Sequence, residues 1–315
     1  MPRYETGPWQ RESASMKVGV IGLGAMGFGA AVNLMRAGHE VIGVEPREAG
    51  RAAFAAEGGE AVASVAALPG DLGAVVVFVV NADQAQAVLF GEGGIAPRLV
   101  AGAVVLLCTT VSPAAAIAIA KRLDGFGILM LDSPVSGGVK GAMAGTMTVM
   151  ASGPEGAFAA ARPVLEAMAG KVWNLGPEPG AGSTVKMVNQ LLAGVHLAAM
   201  GEAFALGLRA GADPKLLFEV ISGSAGASWM LLDRGPRLLA GDDTPRSAIN
   251  IFVKDLGIVL DESRALTLPL PLAAAAHQIF LGVAAAGSGD RDDAFTIRFW
   301  QKLAGLPLPA ETREG

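Results

Sequence analysis

The sequence predicts an α/β fold: a doubly wound parallel sheet in the N-terminal half, then an all-α domain led by a long interdomain helix. Three observations predict it. Short Val-rich runs alternate with Ala-rich stretches of helical spacing in the first half. Strand-like runs stop at Pro177-Glu178-Pro179-Gly180-Ala181-Gly182. From Ser183 to about Leu303 the chain reads as helix.

The strands are expected at Lys17–Ile21, Val41–Val44, Val75–Val80, Val104–Leu107 and Ile128–Leu131. Their near-continuous apolar character is that of strands buried on both faces by helices. Two further runs, Thr146–Ala151 and Lys171–Asn174, flank a helix and are expected to extend the same sheet. The long helix runs from Ser183 to Arg209 and stops at Gly211, and Asp213-Pro214 starts the next. The expected organisation is a loose polar tail over residues 1–15, a nucleotide-binding domain over 16–179, a helical substrate and oligomerisation domain over 180–305, and a Pro-containing tail over 306–315.

Composition narrows the class. Hydrophobic residues make up 52% of the 315 and charged residues 17%, which is enough for buried cores. A net charge of −5 excludes the basic surface that nucleic acid requires. Mean hydropathy is +0.46, but polar residues and glycines interrupt the apolar stretches, so no membrane span is expected. The single Cys108 reads as a small buried hydrophobe in a reducing compartment. The opening residues lack the apolar stretch of a signal peptide, and a cytoplasmic location is expected.

The first strand breaks into Gly22-Leu23-Gly24-Ala25-Met26-Gly27 and then a helix. Gly22 permits the tight turn, Gly24 admits the pyrophosphate of a dinucleotide, and Gly27 lets the helix pack on the strand. The first domain is therefore Rossmann-type. Glu45 ends the second strand, eighteen residues past Gly27. A carboxylate there hydrogen-bonds ribose hydroxyls and repels a 2′-phosphate, so NAD is expected over NADP, although the neighbouring Arg47 offers a phosphate a partner. Val80 closes the third expected strand with Asn81 just after it, and Thr110 follows the fourth, at the edge where such sheets bind ligands. Turn formation explains those residue types equally well.

After the fifth strand comes Asp132-Ser133-Pro134-Val135-Ser136-Gly137-Gly138. The Ser136 hydroxyl and the backbone of Gly137 and Gly138 form either a nest for a carboxylate or a simple glycine turn. Lys186, Asn189 and Gln190 make one polar patch near the start of the long, otherwise apolar helix. Desolvation favours a neutral amine, which can exchange a proton with an alcohol, while a lysine reaching outward from the helix edge is the plainer reading. Lys254 beside Asp255 reads as a second cation or as a local ion pair. The three histidines are scattered, with no metal-ligand spacing, so no metal is expected.

In this order, the glycine turn, the Asp132–Gly138 loop, the helix start Gly180–Lys186 and Lys254-Asp255-Leu256 resemble the β-hydroxyacid dehydrogenases. That family includes 3-hydroxyisobutyrate dehydrogenases and tartronate semialdehyde reductases. The likeness runs from Lys17 to about Phe299. Val80–Ala85, Leu191–His196 and Thr244–Ala248 look like the L-threonate dehydrogenase subgroup. The resemblance implies that Lys186 is the catalytic lysine and that Ser136, Gly137 and Gly138 bind the substrate carboxylate. It also implies Thr110 at the nicotinamide ribose and Lys254 near the cofactor and substrate. Asn189-Gln190 stands where many relatives carry Asn-Asn, which alters the reach toward a substrate hydroxyl. The expected activity is NAD-dependent oxidation of a small sugar acid by a homodimer or homotetramer. Reduction of a β-semialdehyde acid with NADH or NADPH, and a non-catalytic dinucleotide-binding role, stay open at this point.

Overall fold

The computed structural model describes residues 15–311. Residues 1–14 and 312–315, which hold most of the first expected tail and the end of the second, lie outside them. The chain divides into two compact units at Lys186–Met187.

The first unit runs β1 (Lys17–Ile21), α1 (Gly27–Arg36), β2 (Glu40–Val44), α2 (Glu48–Ala56), β3 (Glu60–Val62), β4 (Ala74–Val77), α3 (Ala82–Phe90), β5 (Val104–Leu107), α4 (Pro113–Asp124) and β6 (Leu129–Asp132). The six strands form one parallel sheet in the order β3-β2-β1-β4-β5-β6. Side chains alternate across it, so Val18, Val20, Val76, Val104 and Leu106 enter one core, while Val75, Val77, Val105 and Leu107 enter a second. The doubly wound fold follows, since each core needs its own helical cover.

Two strand expectations change. Next along the chain come β7 (Val135–Ser136), α5 (Gly138–Met143), β8 (Met147–Ala151), α6 (Glu155–Met168) and β9 (Ala169–Asn174). Strands β8 and β9 do not extend the large sheet; with β7 they form a separate three-stranded sheet. An isolated bridge between Asp132 and Ser152 links β6 to the end of β8. Strand β4 stops at Val77, short of the expected Val80. Phe78 still donates to the Ile21 carbonyl (2.8 Å) as the chain leaves the ladder beside Gly22.

Helix α7 (Ala181–Arg209) starts in the first unit and continues into the second. The second unit adds α8 (Pro214–Ser222), α9 (Trp229–Ala240), α10 (Ile249–Ala265), α11 (Pro271–Val283) and α12 (Arg298–Ala304). Leu197, Phe204, Leu256, Phe280 and Phe295 lie in its core. A buried ionic cluster, Arg234 with Asp293 (2.9 Å) and Arg237 with Asp292 (2.7 Å), ties α9 to the loop before α12. The described part of the expected C-terminal tail, residues 306–311, packs onto this unit. Leu306 is buried in this core and a 3-10 turn forms at Pro309–Glu311, because Leu306 and Leu308 have apolar side chains to pack.

Ala181–Arg209 and Pro271–Ser288 are long and apolar enough to cross a membrane by length and composition, against the expectation that no such stretch survives. The core helix of a soluble protein meets the same measure. Helix α7 buries Leu197, Met200 and Phe204 in the protein's own core.

Candidate active site

The carboxyl ends of β2, β1, β4 and β5, neighbours in the sheet, carry Glu45, the glycine turn, Val80–Asn81 and Thr110 respectively. Strand order reverses between β1 and β4, where an open α/β sheet binds its ligand. The sequence-predicted cofactor residues of the first unit thus come together on one sheet edge.

Each glycine of the turn has a separate steric reason. Gly22 has φ +96°, and a Cβ there would lie 2.7 Å from the Phe78 carbonyl oxygen. A Cβ on Gly27 would fall 1.9 Å from the Gly22 oxygen, so no other residue can start α1 there. At Gly24 a Cβ meets nothing within 4 Å, so it would project into open space over the helix start. Leu23 is buried and packs over Gly43, Ala25 is exposed, and Met26 precedes α1 without a side-chain cap. By contrast, Asn81 and Ser112 cap α3 and α4. The glycine cradle and uncapped helix fit a dinucleotide pyrophosphate.

Glu45 departs from expectation in its surroundings. It is buried, and its Oε1 accepts from the Arg47 backbone N–H (3.0 Å) and Nε (2.8 Å), while Oε2 accepts from Arg47 Nη2 (3.1 Å). The Arg47 guanidinium holds the carboxyl below its usual range. The acid is therefore paired before any ribose arrives. Asn81 accepts from the Gln84 N–H (2.9 Å), and Val80 is half exposed and donates its N–H to Gln84. Thr109 is buried against the Val77 carbonyl, whereas Thr110 is partly exposed at the strand end.

Ser136 pairs with Thr148 across β7 and β8, and Gly137 (φ +129°) and Gly138 (φ +60°) turn the chain into α5. Successive left-handed glycines present backbone N–H groups to an anion. Asp132, at the head of this loop, organises the region. Fully buried, its Oδ2 accepts from the N–H of Gly180 (2.9 Å) and Ser183 (2.8 Å), and its Oδ1 accepts from the Ser183 hydroxyl (2.7 Å). The carboxylate at the end of β6 thereby fixes the first turn of α7, three residues before Lys186. Lys186 itself is buried. No sequence signal marks Asp132 as the anchor, because its partners Gly180 and Ser183 lie 48 and 51 positions away.

In the second unit, Gln190 and Lys254 contact Asp255, and Asn189 joins them through Gln190. Gln190 Nε2 donates to Asp255 Oδ2 (2.5 Å), Asn189 Nδ2 donates to Gln190 Oε1 (3.0 Å), and Lys254 Nζ is 2.7 Å from Asp255 Oδ1. Among the described residues no group of three or more His, Cys, Asp or Glu could hold a metal ion.

Comparison with known proteins decides the family. Residues 17–176 match the family model for the NAD binding domain of 6-phosphogluconate dehydrogenase, and residues 180–300 match that for the NAD-binding domain of NADP-dependent 3-hydroxyisobutyrate dehydrogenase. A curated L-threonate dehydrogenase from Cupriavidus necator is 51% identical, covering 94% of this chain and 99% of that protein. The chain belongs to the β-hydroxyacid dehydrogenase family. As a β-hydroxyacid dehydrogenase it is an NAD(P)-dependent enzyme. An Escherichia coli L-threonate dehydrogenase is 46% identical over 95% of this chain and 98% of its own length. A solved structure, described as a 3-hydroxyisobutyrate dehydrogenase from Salmonella typhimurium, is 46% identical, covers 90% of this chain and 99% of its own, and has a TM-score of 0.86.

Proposed function

We propose that this β-hydroxyacid dehydrogenase oxidises a small sugar acid with NAD, L-threonate foremost, to the 2-oxo acid. The observation that carries the reading is the 51% identity, across nearly the whole of both chains, to a curated L-threonate dehydrogenase. The buried Lys186 beside an anchored helix start supplies the chemistry. Bound NAD would supply the hydride acceptor, held by the glycine cradle Gly22–Gly27 with Glu45, Val80, Asn81 and Thr110 along the same edge.

The chain's own residues would act in sequence. The Ser136 hydroxyl and the N–H groups of Gly137 and Gly138 hold the substrate carboxylate and fix the reacting carbon. Neutral Lys186 Nζ takes the proton of the C2 hydroxyl as the C2 hydride leaves, so the C–O bond becomes a carbonyl and the lysine an ammonium. Asn189 and Gln190 contact the remaining hydroxyls. Positioning supplies much of the rate, because an anchored substrate reacts in an effectively unimolecular step.

Residues 16–179 serve as the cofactor domain in this reading, and 180–305 as the substrate and oligomerisation domain of a cytoplasmic homodimer or homotetramer. Val188, Leu192 and Leu206 are more than half exposed on α7, an apolar stripe that a second copy would cover. A second reading, oxidation of a 3-hydroxy acid, draws on the likeness to the Salmonella 3-hydroxyisobutyrate dehydrogenase structure. Steady-state rates with NAD and NADP on L-threonate, 3-hydroxyisobutyrate and glycerate test both. Turnover of L-threonate with NAD above the others is expected; preference for 3-hydroxyisobutyrate would replace the first reading with the second.

A further inference from the structure

Asp255 fixes the direction of two amide side chains. It is 2% exposed, and Lys254 Nζ, 2.7 Å from Oδ1, neutralises it. An ionised carboxylate only accepts hydrogen bonds, so the Gln190 amide must turn its NH2 toward Oδ2 and its oxygen away. That oxygen accepts from Asn189 Nδ2, which turns the Asn189 NH2 toward Gln190 and leaves Oδ1 aimed elsewhere. An amide side chain alone could exchange its oxygen and nitrogen positions. Here flipping Gln190 sets two acceptors against each other at the buried Asp255 contact, at the cost of a buried unpaired group, and flipping Asn189 sets two acceptors together at its partly buried contact with Gln190.

We infer that Asp255 is a positioning residue which, through Gln190, makes Asn189 present a hydrogen-bond acceptor to a substrate hydroxyl and so selects hydroxylated acids over deoxy acids. The inference rests on the proposed role of Asn189 at the substrate. Asn189 follows Lys186 by three positions, a spacing that puts both on one helix face. A hydroxyl at C3 or C4 of the substrate would therefore meet Oδ1 close to the lysine that takes the C2 hydroxyl proton. Gln190, where many relatives have Asn, becomes the element that connects Asn189 to the buried acid.

The chemistry of the relay gives a test that a merely structural role would not pass. In Asp255→Asn, the oxygen of the introduced amide stays with Lys254 and its NH2 faces Gln190. Gln190 and then Asn189 must reverse, so Asn189 offers a donor instead. Adding Gln190→Glu supplies a carboxylate that accepts from both neighbours and returns Asn189 to its first orientation. The probes are L-threonate and 2-hydroxybutanoate, which share the carboxylate and C2 hydroxyl but differ at C3 and C4. We expect Asp255→Asn to lower the preference for L-threonate by about tenfold or more, mainly through KM, and the double variant to restore most of it. The side-chain amide NMR signals of Asn189 should move in the single variant and return in the double. Equal loss on both substrates with no rescue, or an Asn189 signal that ignores Asp255→Asn, overturns the inference. Failure of the wild type to oxidise L-threonate would instead defeat the proposed substrate, while the amide signals still decide the relay.

Discussion

Asp132 holds Ser183 by both its backbone N–H and its hydroxyl, joining the last strand of the large sheet to the first turn of the helix that carries Lys186. The contact spans an end-of-strand carboxylate and a helix N-terminus, where negative charge is favoured. It converts the rigidity of the sheet into a fixed starting point for the helix.

Replacing Asp132 tests this anchor. In Asp132→Ala two buried N–H groups and the hydroxyls of Ser183 and Ser152 lose their acceptor, and a loss of about 3 kcal/mol in urea unfolding is expected. Asp132→Asn should cost far less. Its oxygen can keep both N–H groups, and its NH2 can donate to Ser183 once that hydroxyl rotates. Equal losses in the two variants would contradict the assignment.

Wild type and Asp132→Asn should also differ in their response to pH. Burial raises the Asp132 carboxyl above its ordinary value against the pull of Ser183 and Gly180. Between the ordinary and the raised value the folded state binds more protons than the unfolded state, so this group's contribution to stability falls as pH rises through that window. Asparagine does not titrate there. The stability of wild type relative to Asp132→Asn should therefore decline from about pH 4 upward, measured by urea midpoints across pH. A rise over that window would reverse the sign.

Much of the fold was legible because its signals are local. Lys17–Ile21 is an apolar run closed by a glycine turn, and its strand has those limits. Strand β3 escaped notice because three residues, one of them charged, make no periodic pattern. Strands β8 and β9 are legible as strands but their sheet is not, since alternation marks a face and not a partner. The Asp132–Ser183 and Asp255–Gln190 contacts join residues 51 and 65 positions apart, and no spacing rule reaches that far. Glu45 was recognisable at its strand end, but its capture by Arg47 depends on a rotamer that sequence does not specify.

Gly24 and Gly27 should separate cofactor binding from folding. A methyl on Gly24 meets no protein atom, so Gly24→Ala should keep its thermal stability while weakening NADH binding by about tenfold or more, read from NADH fluorescence. Gly27→Ala collides with the Gly22 carbonyl and should lower the melting temperature as well. A stable Gly27→Ala protein that binds NADH normally would refute this explanation of the turn.

Arg47 offers a test of cofactor choice. Removing it in Arg47→Ala frees the Glu45 carboxylate and takes away the cation that could receive a 2′-phosphate. The ratio of kcat/KM for NAD over NADP should rise, by about tenfold. An unchanged or lower ratio would place discrimination elsewhere.

Cys108 should be inert in the folded protein. Burial pushes its thiol up to about 12, so almost no thiolate exists at neutral pH. Alkylation monitored by mass spectrometry should wait for denaturant. Rapid labelling of the native protein would mean the strand end opens.

The most direct test of the central claim is NADH formation from L-threonate and NAD by wild type and Lys186→Ala, with NADH affinity measured on both. We expect turnover in the wild type, and loss of turnover with unchanged NADH affinity in the variant. A variant that still oxidises L-threonate at the wild-type rate would contradict the role given to Lys186.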